Sequence, residues 1–292
     1  MYCIYTDQDV AKADGNWDHV IPLSLGGTNQ FQVWSQEAFN SKMGSEVDGA
    51  LASDPLLAPG LARSPVKGHG KKPVPRWRRA TIAGRPAQIS HTPEGMRVWD
   101  ARAGRELTEH ESAGENLTVQ LNIGMFTALR FLAKVALGGG YFVYGKALLT
   151  AIDCAALRKV IALDIEAAKT DPALRSCGFQ IVDRFHPDAK PGAPAYLYRV
   201  MCELMPRSIF ITEPFANGIA FHVGVLGTYI GTIFCPGDTH GIPVEGEDHD
   251  RGHAVILAPG TFERHSFEAL LLDLKRAIDI DAGDADDAGP AA

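Results

Sequence analysis

The sequence predicts an α+β protein in which a small N-terminal ββα unit precedes a larger domain of antiparallel strands with packed helices. The stretch from Trp17 to Leu51 has the pattern of strand, loop, strand and helix. Farther along, short runs of β-branched and aromatic residues alternate with turn residues, which favours antiparallel strands. A chain of 292 residues, 46% of them hydrophobic, is long enough for a full core and two structural units.

The N-terminal unit, residues 1–57, is predicted element by element. Val20 and Ile21 form a short β-branched run closed by Pro22, and a second run with apolar and polar alternation follows at 31–34. Ser35 is expected to cap a helix. The apolar face of that helix repeats at helical spacing and consists of Phe39, Met43, Val47 and Leu51.

Three polar side chains of this unit are expected to converge. Asp18 and His19 belong to the first strand, and Asn40 lies in the first turns of the helix. Taken singly, each is also an ordinary capping or turn residue. Their joint occurrence with the stretch Ile-Pro-Leu-Ser-Leu-Gly-Gly at 21–27 favours a site instead.

In these residues the chain resembles the HNH endonucleases with a ββα-metal fold. The match runs through Cys-Ile-Tyr at 3–5, Asp-His-Val-Ile-Pro at 18–22, Ser-Leu-Gly-Gly at 24–27 and the segment 40–48, about the first fifth of the chain. The resemblance implies that His19 is the general base that takes a proton from the attacking water.

The resemblance also implies roles for three neighbours of this histidine. Asp18 and Asn40 are expected to hold one divalent cation, Mg²⁺ or Mn²⁺, which neutralises charge on the scissile phosphate. Asn29 is expected to be the middle asparagine of the motif, which holds the loop and the His19 strand in place.

One departure from the family concerns a structural zinc. Cys3 stands at the first of two cysteine pairs that bind zinc in much of this branch, but Thr6 replaces its partner, and Gln36 and Phe39 stand where the second pair would fall. A lone thiolate does not make a tetrahedral Cys₄ site, so structural zinc is not expected. Either apolar packing of Phe31, Trp34 and Phe39 replaces the clamp or the site has decayed; we favour the first, because the three polar motif residues are retained.

Residues 58–79 are predicted to form a basic linker rich in proline and glycine. Between Arg63 and Arg79 the segment contains no acidic residue, although the net charge of the chain is −7. This segregated positive charge favours contact with nucleic acid, and a solvated connector is the alternative. The expected contact residues are Lys67, Lys71, Lys72, Arg76, Trp77, Arg78 and Arg79.

The larger domain, residues 80–278, carries no motif that indicates its role. Its predicted helices are 126–149, interrupted at Gly138-Gly139-Gly140, then 153–168 and 267–278. Its predicted strands lie at 80–102, 196–204, 208–212, 219–225 and 228–234. The acidic tail, residues 279–292, is expected to be disordered.

Composition sets the expected compartment. Five cysteines without C-x-x-C spacing are expected to be free thiols, and with no apolar signal region a cytoplasmic location is predicted. Arg130 and Lys134 interrupt the longest apolar segment, which indicates a buried helix rather than a membrane span, so no membrane partner is expected. The sequence leaves the oligomeric state open.

The sequence therefore predicts a metal-dependent endonuclease that hydrolyses phosphodiester bonds in DNA, with RNA left open. Two alternatives stand beside it. One is a catalytically inactive nucleic-acid-binding protein of the same fold. The other is an unrelated metallohydrolase centred on His240, His249 and His253, whose spacing among carboxylates is compatible with a transition metal.

Overall fold

The computed structural model describes residues 1–66, 75–164, 178–245 and 249–286, and it confirms the α+β class. The strands are β1 (Tyr2–Cys3), β2 (Gln8–Asp9), β3 (Gly15–His19), β4 (Gln32–Gln36), β5 (Arg76–Ile82), β6 (Arg85–Thr92), β7 (Gly95–Asp100), β8 (Arg105–Glu106), β9 (Leu117–Val119), β10 (Gln180–Asp183), β11 (Ile209–Phe215), β12 (Gly218–Val225), β13 (Thr228–Pro236), β14 (His253–Ala258) and β15 (Thr261–Ser266). The helices are α1 (Glu37–Met43), α2 (Gly49–Ala52), α3 (Ala58–Arg63), α4 (Glu109–Ser112), α5 (Met125–Tyr144), α6 (Leu148–Ala151), α7 (Cys154–Ile161), α8 (Tyr196–Leu204) and α9 (Phe267–Asp286).

The N-terminal unit has the predicted ββα order. Strands β3 and β4 pair antiparallel, with Trp17 opposite Trp34 and His19 opposite Gln32. The helix begins at Glu37 and continues through a π-helical turn at Gly44–Asp48 into α2. The expected cap at Ser35 is wrong, because that residue still belongs to β4 and Gln36 precedes the helix without a side-chain cap.

The predicted hairpins after residue 80 are confirmed as part of a five-stranded antiparallel sheet with the order β8-β7-β6-β5-β9. The linker expected at 58–79 differs from the structure at both ends, since 58–63 form α3 and β5 already begins at Arg76. The cause is burial: Ala58, Gly60 and Ala62 pack as small buried residues of a short helix.

Helix α5 runs without interruption through Gly138, Gly139 and Gly140, where the sequence predicts a break. A Cβ atom on Gly139 would lie 2.6 Å from the Phe210 ring, so the absent side chains let the helix approach its neighbours closely. Tertiary packing thus outweighs the low helix propensity of glycine. Met125–Ala151 is long and apolar enough to cross a membrane by those two criteria alone, yet 61% of its most apolar window is buried inside the protein, as in a core helix.

The second large sheet has six antiparallel strands in the order β10-β13-β12-β11-β14-β15. Three of its predicted strands are confirmed, but the strand expected at 196–204 is wrong, because this segment is α8. Met201 and Cys202 are its buried residues, and Tyr198 and Met205 pack beside them at helical spacing. The aromatic residues of this segment favour a strand, so the sequence analysis assigned a strand where the structure has a helix.

Two further helix predictions agree with the structure only in part. Helix α7 begins where predicted, with Asp153 accepting a hydrogen bond from the Ala156 amide at 3.0 Å. It ends at Ile161, earlier than the predicted end at residue 168, and residues 165–168 lie outside the described residues. Helix α9 includes 267–278 but continues to Asp286, into the range expected to be disordered. No proline interrupts this helix before Pro290.

The main core joins the ββα unit to the larger domain. Phe31 of the ββα unit lies 4.9 Å from the Phe142 ring of α5 and 5.9 Å from the Phe210 ring of β11, measured between centroids. The five-stranded sheet instead has a small core of its own, formed by Ala80, Ile82, Ala87, Ile89 and Val98. Among the described residues, Cys3, Cys154, Cys202 and Cys235 are buried and form no disulfide.

Candidate functional site

His19 lies at the end of β3 and is partly exposed. Its Nε2 atom is 2.9 Å from Asn29 Oδ1 and 3.0 Å from Gln32 Nε2. When Nε2 carries the proton it donates to Asn29, and when it does not it accepts from Gln32. The structure thus brings His19 and Asn29 together. The sequence analysis missed Gln32. Pairing the two predicted strands in register would have identified it, because Gln32 lies opposite His19.

Asp18 leaves β3 on the face opposite to His19, since successive side chains of a strand alternate. Only 3% of Asp18 is exposed. Both of its carboxylate oxygens lie 3.3 Å from the Nζ atom of Lys134, which projects from the middle of α5. The same ammonium donates to Asp48 Oδ2 at 2.8 Å and to the His19 carbonyl oxygen at 3.3 Å. A fully buried lysine therefore links the two acidic side chains of the motif to the larger domain.

The electrostatics of this buried centre favour a charged lysine. Burial by itself lowers the pKa of Lys134, but the carboxylates of Asp48 and Asp18 outweigh it and raise the pKa above its usual value. Burial raises the pKa of Asp48, against the lowering effect of Lys134. The pKa of the Tyr5 phenol is raised by burial and by the neighbouring Asp18 charge. The centre is a tightly coupled ionic group rather than a solvated site.

Asn40 lies beside the same face of β3 as Asp18. Its Nδ2 atom donates to Asn16 Oδ1 at 2.8 Å, and Asn16 precedes Asp18 by two residues on the strand. In the part of the chain that the structure describes, the three side chains have different partners: Lys134 for Asp18, Asn29 and Gln32 for His19, and Asn16 for Asn40.

These contacts decide whether the expected Mg²⁺ or Mn²⁺ fits Asp18 and Asn40. Mg²⁺ needs a near-octahedral set of oxygen ligands and keeps several waters. The Asp18 carboxylate is almost inaccessible and already has the Lys134 ammonium against both oxygens, so it cannot share a hydrated cation with Asn40, whose Nδ2 atom is bound to Asn16. In this arrangement the two residues do not fit a hydrated divalent cation.

Aromatic contacts lie where a zinc clamp would otherwise stiffen the ββα unit. The Tyr5 and Phe39 rings stack at 5.1 Å between centroids, and the Trp17 and Trp34 rings meet edge to face at 5.6 Å. Cys3 is fully buried in the main core. The apolar packing expected of Phe31, Trp34 and Phe39 is therefore present.

The structure describes only some of the predicted nucleic-acid contact residues. Lys67, Lys71 and Lys72 lie outside the described residues, whereas Arg76, Arg78 and Arg79 are exposed on β5. Trp77 is partly buried on the same strand. Its indole N–H donates to the Pro55 carbonyl oxygen at 2.9 Å, and its ring meets His91 edge-on at 4.3 Å, so this ring is committed to packing.

The histidines of the alternative metallohydrolase do not gather around one point. His253 is buried, and its Nε2 atom accepts a hydrogen bond from Arg264 Nε at 3.0 Å. Its ring centroid lies 5.2 Å from that of His249. The described hydrogen bond of His240 runs from its backbone N–H to Asp238 Oδ1 and does not involve the ring. Within the described ranges no three His, Cys, Asp or Glu side chains form a group that could hold a metal ion. The structure gives this alternative no support.

His222 is a buried residue of β12 in the six-stranded sheet. Its Nδ1 atom is 2.7 Å from Thr232 Oγ1, its Nε2 atom is 3.8 Å from Glu213 Oε2, and its ring stacks on Tyr198 at 3.6 Å. Burial lowers the pKa of His222, so the neutral ring is favoured in this environment.

Comparison with known proteins does not assign this chain to a family. No family model, no curated protein and no solved structure matches the chain.

Proposed function

We propose that this chain is an HNH-type endonuclease that hydrolyses phosphodiester bonds in DNA, with RNA as a second possible substrate. The observation that carries the proposal is the partly exposed His19 of the Asp-His motif, with Asn29 and Gln32 at its Nε2 atom. In either tautomer one amide, from the loop or from the paired strand, holds the imidazole at its Nε2 atom. An oriented imidazole is what a general base requires.

The proposed chemistry uses the other ring nitrogen. With the Nε2 proton donated to Asn29, the Nδ1 atom of His19 is the basic one and accepts a proton from water. The water oxygen forms a bond to phosphorus as the bond to the leaving 3′ oxygen breaks, and that oxygen takes a proton from solvent. Mg²⁺ or Mn²⁺ is the cofactor that the family resemblance implies, and no step is assigned to it because Asp18 and Asn40 do not fit it as arranged.

A second candidate function is nucleic-acid binding without cleavage. The observation that favours it is the Lys134 ammonium, which lies against the carboxylate that the family uses for its metal. A side chain that neutralises Asp18 from within the fold is compatible with a ββα unit retained as a binding module.

One experiment separates the two candidates. Supercoiled plasmid is incubated with the native chain, with His19→Ala and with His110→Ala, in Mg²⁺, in Mn²⁺ or in EDTA. His110 is an exposed histidine of α4 and serves as the matched control. The expected result is nicking or linearisation by the native chain and the control, with loss in His19→Ala.

Two other outcomes count against hydrolysis at His19. Equal cleavage by the native chain and His19→Ala would mean that the activity does not arise at this residue. Absence of cleavage by every protein, together with a salt-sensitive shift of the DNA, would favour the binding function.

A further inference from the structure

The five-stranded sheet has one covered face and one open face. Along β7, Val98 and Asp100 point inward, whereas Arg97 and Trp99 point outward. The outward residues of β5, β6 and β7 line a groove of about 520 Å³ together with Glu106. We call this surface the outer face and define it by Arg76, Gln88, Ser90, Thr92, Arg97 and Trp99.

Strand register places the polar and aromatic groups of the outer face in rows. Arg76 is paired with Ser90, and Ser90 is paired with Arg97, so two arginines flank a hydroxyl. The neighbouring row pairs Gln88 with Trp99. Adjacent strands are about 4.8 Å apart, and alternate residues of one strand are about 7 Å apart. Arg97 therefore lies about 7 Å from Trp99 along β7. Arg76, which is two strands away, lies roughly 12 Å from Trp99 across the same face.

Trp99 is 45% exposed, although a large apolar ring on a sheet face usually packs against something. The inner face already buries Ile89, Val98 and Ala87 in its own core, so Trp99 contributes nothing to that core. The ring presents an accessible π-surface between polar groups, which is the form of a stacking platform.

The charge around the outer face is positive while the chain as a whole is acidic. A β-bulge between Trp77 and Ala80 interrupts the pairing of β5, and Arg76, Arg78 and Arg79 are all exposed. Arg97 adds a fourth guanidinium, with Glu106 at 3.7 Å as its ion-pair partner. This local excess of guanidinium groups complements phosphate on a chain whose net charge is −7.

We propose that the outer face binds single-stranded DNA. A base stacks on Trp99, phosphates contact Arg76 and Arg97, and Gln88 offers hydrogen bonds to base edges. The strand is single because only an unpaired base exposes its face to a side-chain ring. The assignment of DNA rests on the proposed function, for which this surface supplies a substrate contact beside the partly buried Trp77.

The test measures binding apart from cleavage. A fluorescent oligothymidylate of about 20 nucleotides is titrated with the full chain in EDTA at about 50 mM salt, and binding is followed by anisotropy. Trp99→Ala is compared with the conservative Trp99→Phe and with Trp17→Ala, which removes a ring that is 53% exposed on the ββα unit. The same titration is run with a duplex of equal length and with the matched RNA.

The expected result is binding of the DNA single strand that weakens about 5- to 100-fold in Trp99→Ala. Trp99→Phe retains most of the affinity, and Trp17→Ala retains all of it. The inference is overturned if Trp99→Ala binds as tightly as the native chain, if the native chain does not bind the oligonucleotide, or if only the duplex or only the RNA binds. Since EDTA removes cleavage from the measurement, failure of hydrolysis at His19 and failure of this inference give different results.

Discussion

The ββα unit and the five-stranded sheet differ in how they are built into the molecule. Phe31 and Lys134 join the ββα unit to α5 and to the six-stranded sheet within one common core. The five-stranded sheet has a separate small core and an open outer face. The Asp-His motif therefore lies against the main core, while the proposed binding surface lies on a sheet in which the sequence shows no motif.

A buried ionic contact and an exposed surface thus lie in different parts of the molecule. Asp18, Asp48 and Lys134 form a buried ionic contact between the units, and burial gives their charges large mutual effects. Trp99 and Arg97 are exposed, so changes there are expected to alter the proposed binding with little effect on folding. Four predictions test this division.

The largest effect is expected from Lys134→Met. Removal of the ammonium leaves the Asp18 and Asp48 carboxylates buried without their cation, which costs about 3–5 kcal/mol of the free energy of unfolding. Urea denaturation of this variant and of Lys146→Met, whose side chain is exposed, measures the difference. Equal stability of the two variants would show that the buried ion pair does not hold the units together.

A smaller loss is expected from Gly139→Ala in α5. The added Cβ would lie 2.6 Å from Phe210, and overpacking of this kind costs about 1–3 kcal/mol. Gly44→Ala is the matched control, because its Cβ meets nothing within 4 Å in a helical run and gains about 0.5–1 kcal/mol from helix propensity. Opposite shifts of the urea midpoint are expected, and a loss at both positions would contradict close packing at Gly139.

Acidification is expected to loosen the five-stranded sheet through His91. Burial and the charge of Arg63 lower the pKa of His91 below its unfolded value of about 6.5. The neutral ring therefore contributes stability above that value, and the contribution is lost as the pH falls towards 5. The native chain should lose stability over about pH 7 to 5, and His91→Gln should lose less.

Two other histidines of the chain serve as controls for the His91 prediction. His222, whose pKa burial also lowers, is present in both proteins, so the difference between the two pH profiles reports His91 alone. His110→Gln, an exposed change, should follow the native profile. A profile for His91→Gln that coincides with the native one would mean that the contact with Trp77 does not depend on the charge of the ring.

Local patterns predicted much of the fold. The α+β class, the strand, loop, strand and helix order of the first unit, and the hairpins after residue 80 follow from hydrophobic periodicity within one element. What failed depends on contacts distant in sequence. The uninterrupted α5 requires the rings that pack against its glycines, and the helix at Tyr196–Leu204 requires the sheet that it covers.

In the candidate site, too, local patterns predicted some contacts and missed those between residues distant in sequence. The pairing of His19 with Asn29 follows from the motif, but Lys134 is 116 residues from Asp18 and no local pattern announces the contact. Trp77 was placed on the binding surface and Trp99 was not. The β-bulge that follows Trp77 breaks the alternation on which such an assignment depends.

The smallest effect is expected from Arg97→Gln on the outer face. Arg97 and Glu106 are both about half exposed, and an exposed pair of this kind contributes little to folding, so the variant should unfold like the native chain. If the Arg97 guanidinium contacts a phosphate, its loss reduces the slope of log affinity against log salt by about one. Arg102→Gln, an exposed change in the turn after β7, should leave that slope unaltered. Unchanged slopes in both variants would remove Arg97 from the phosphate contacts, whereas equal decreases in both would indicate a diffuse field around the sheet rather than contact on its outer face.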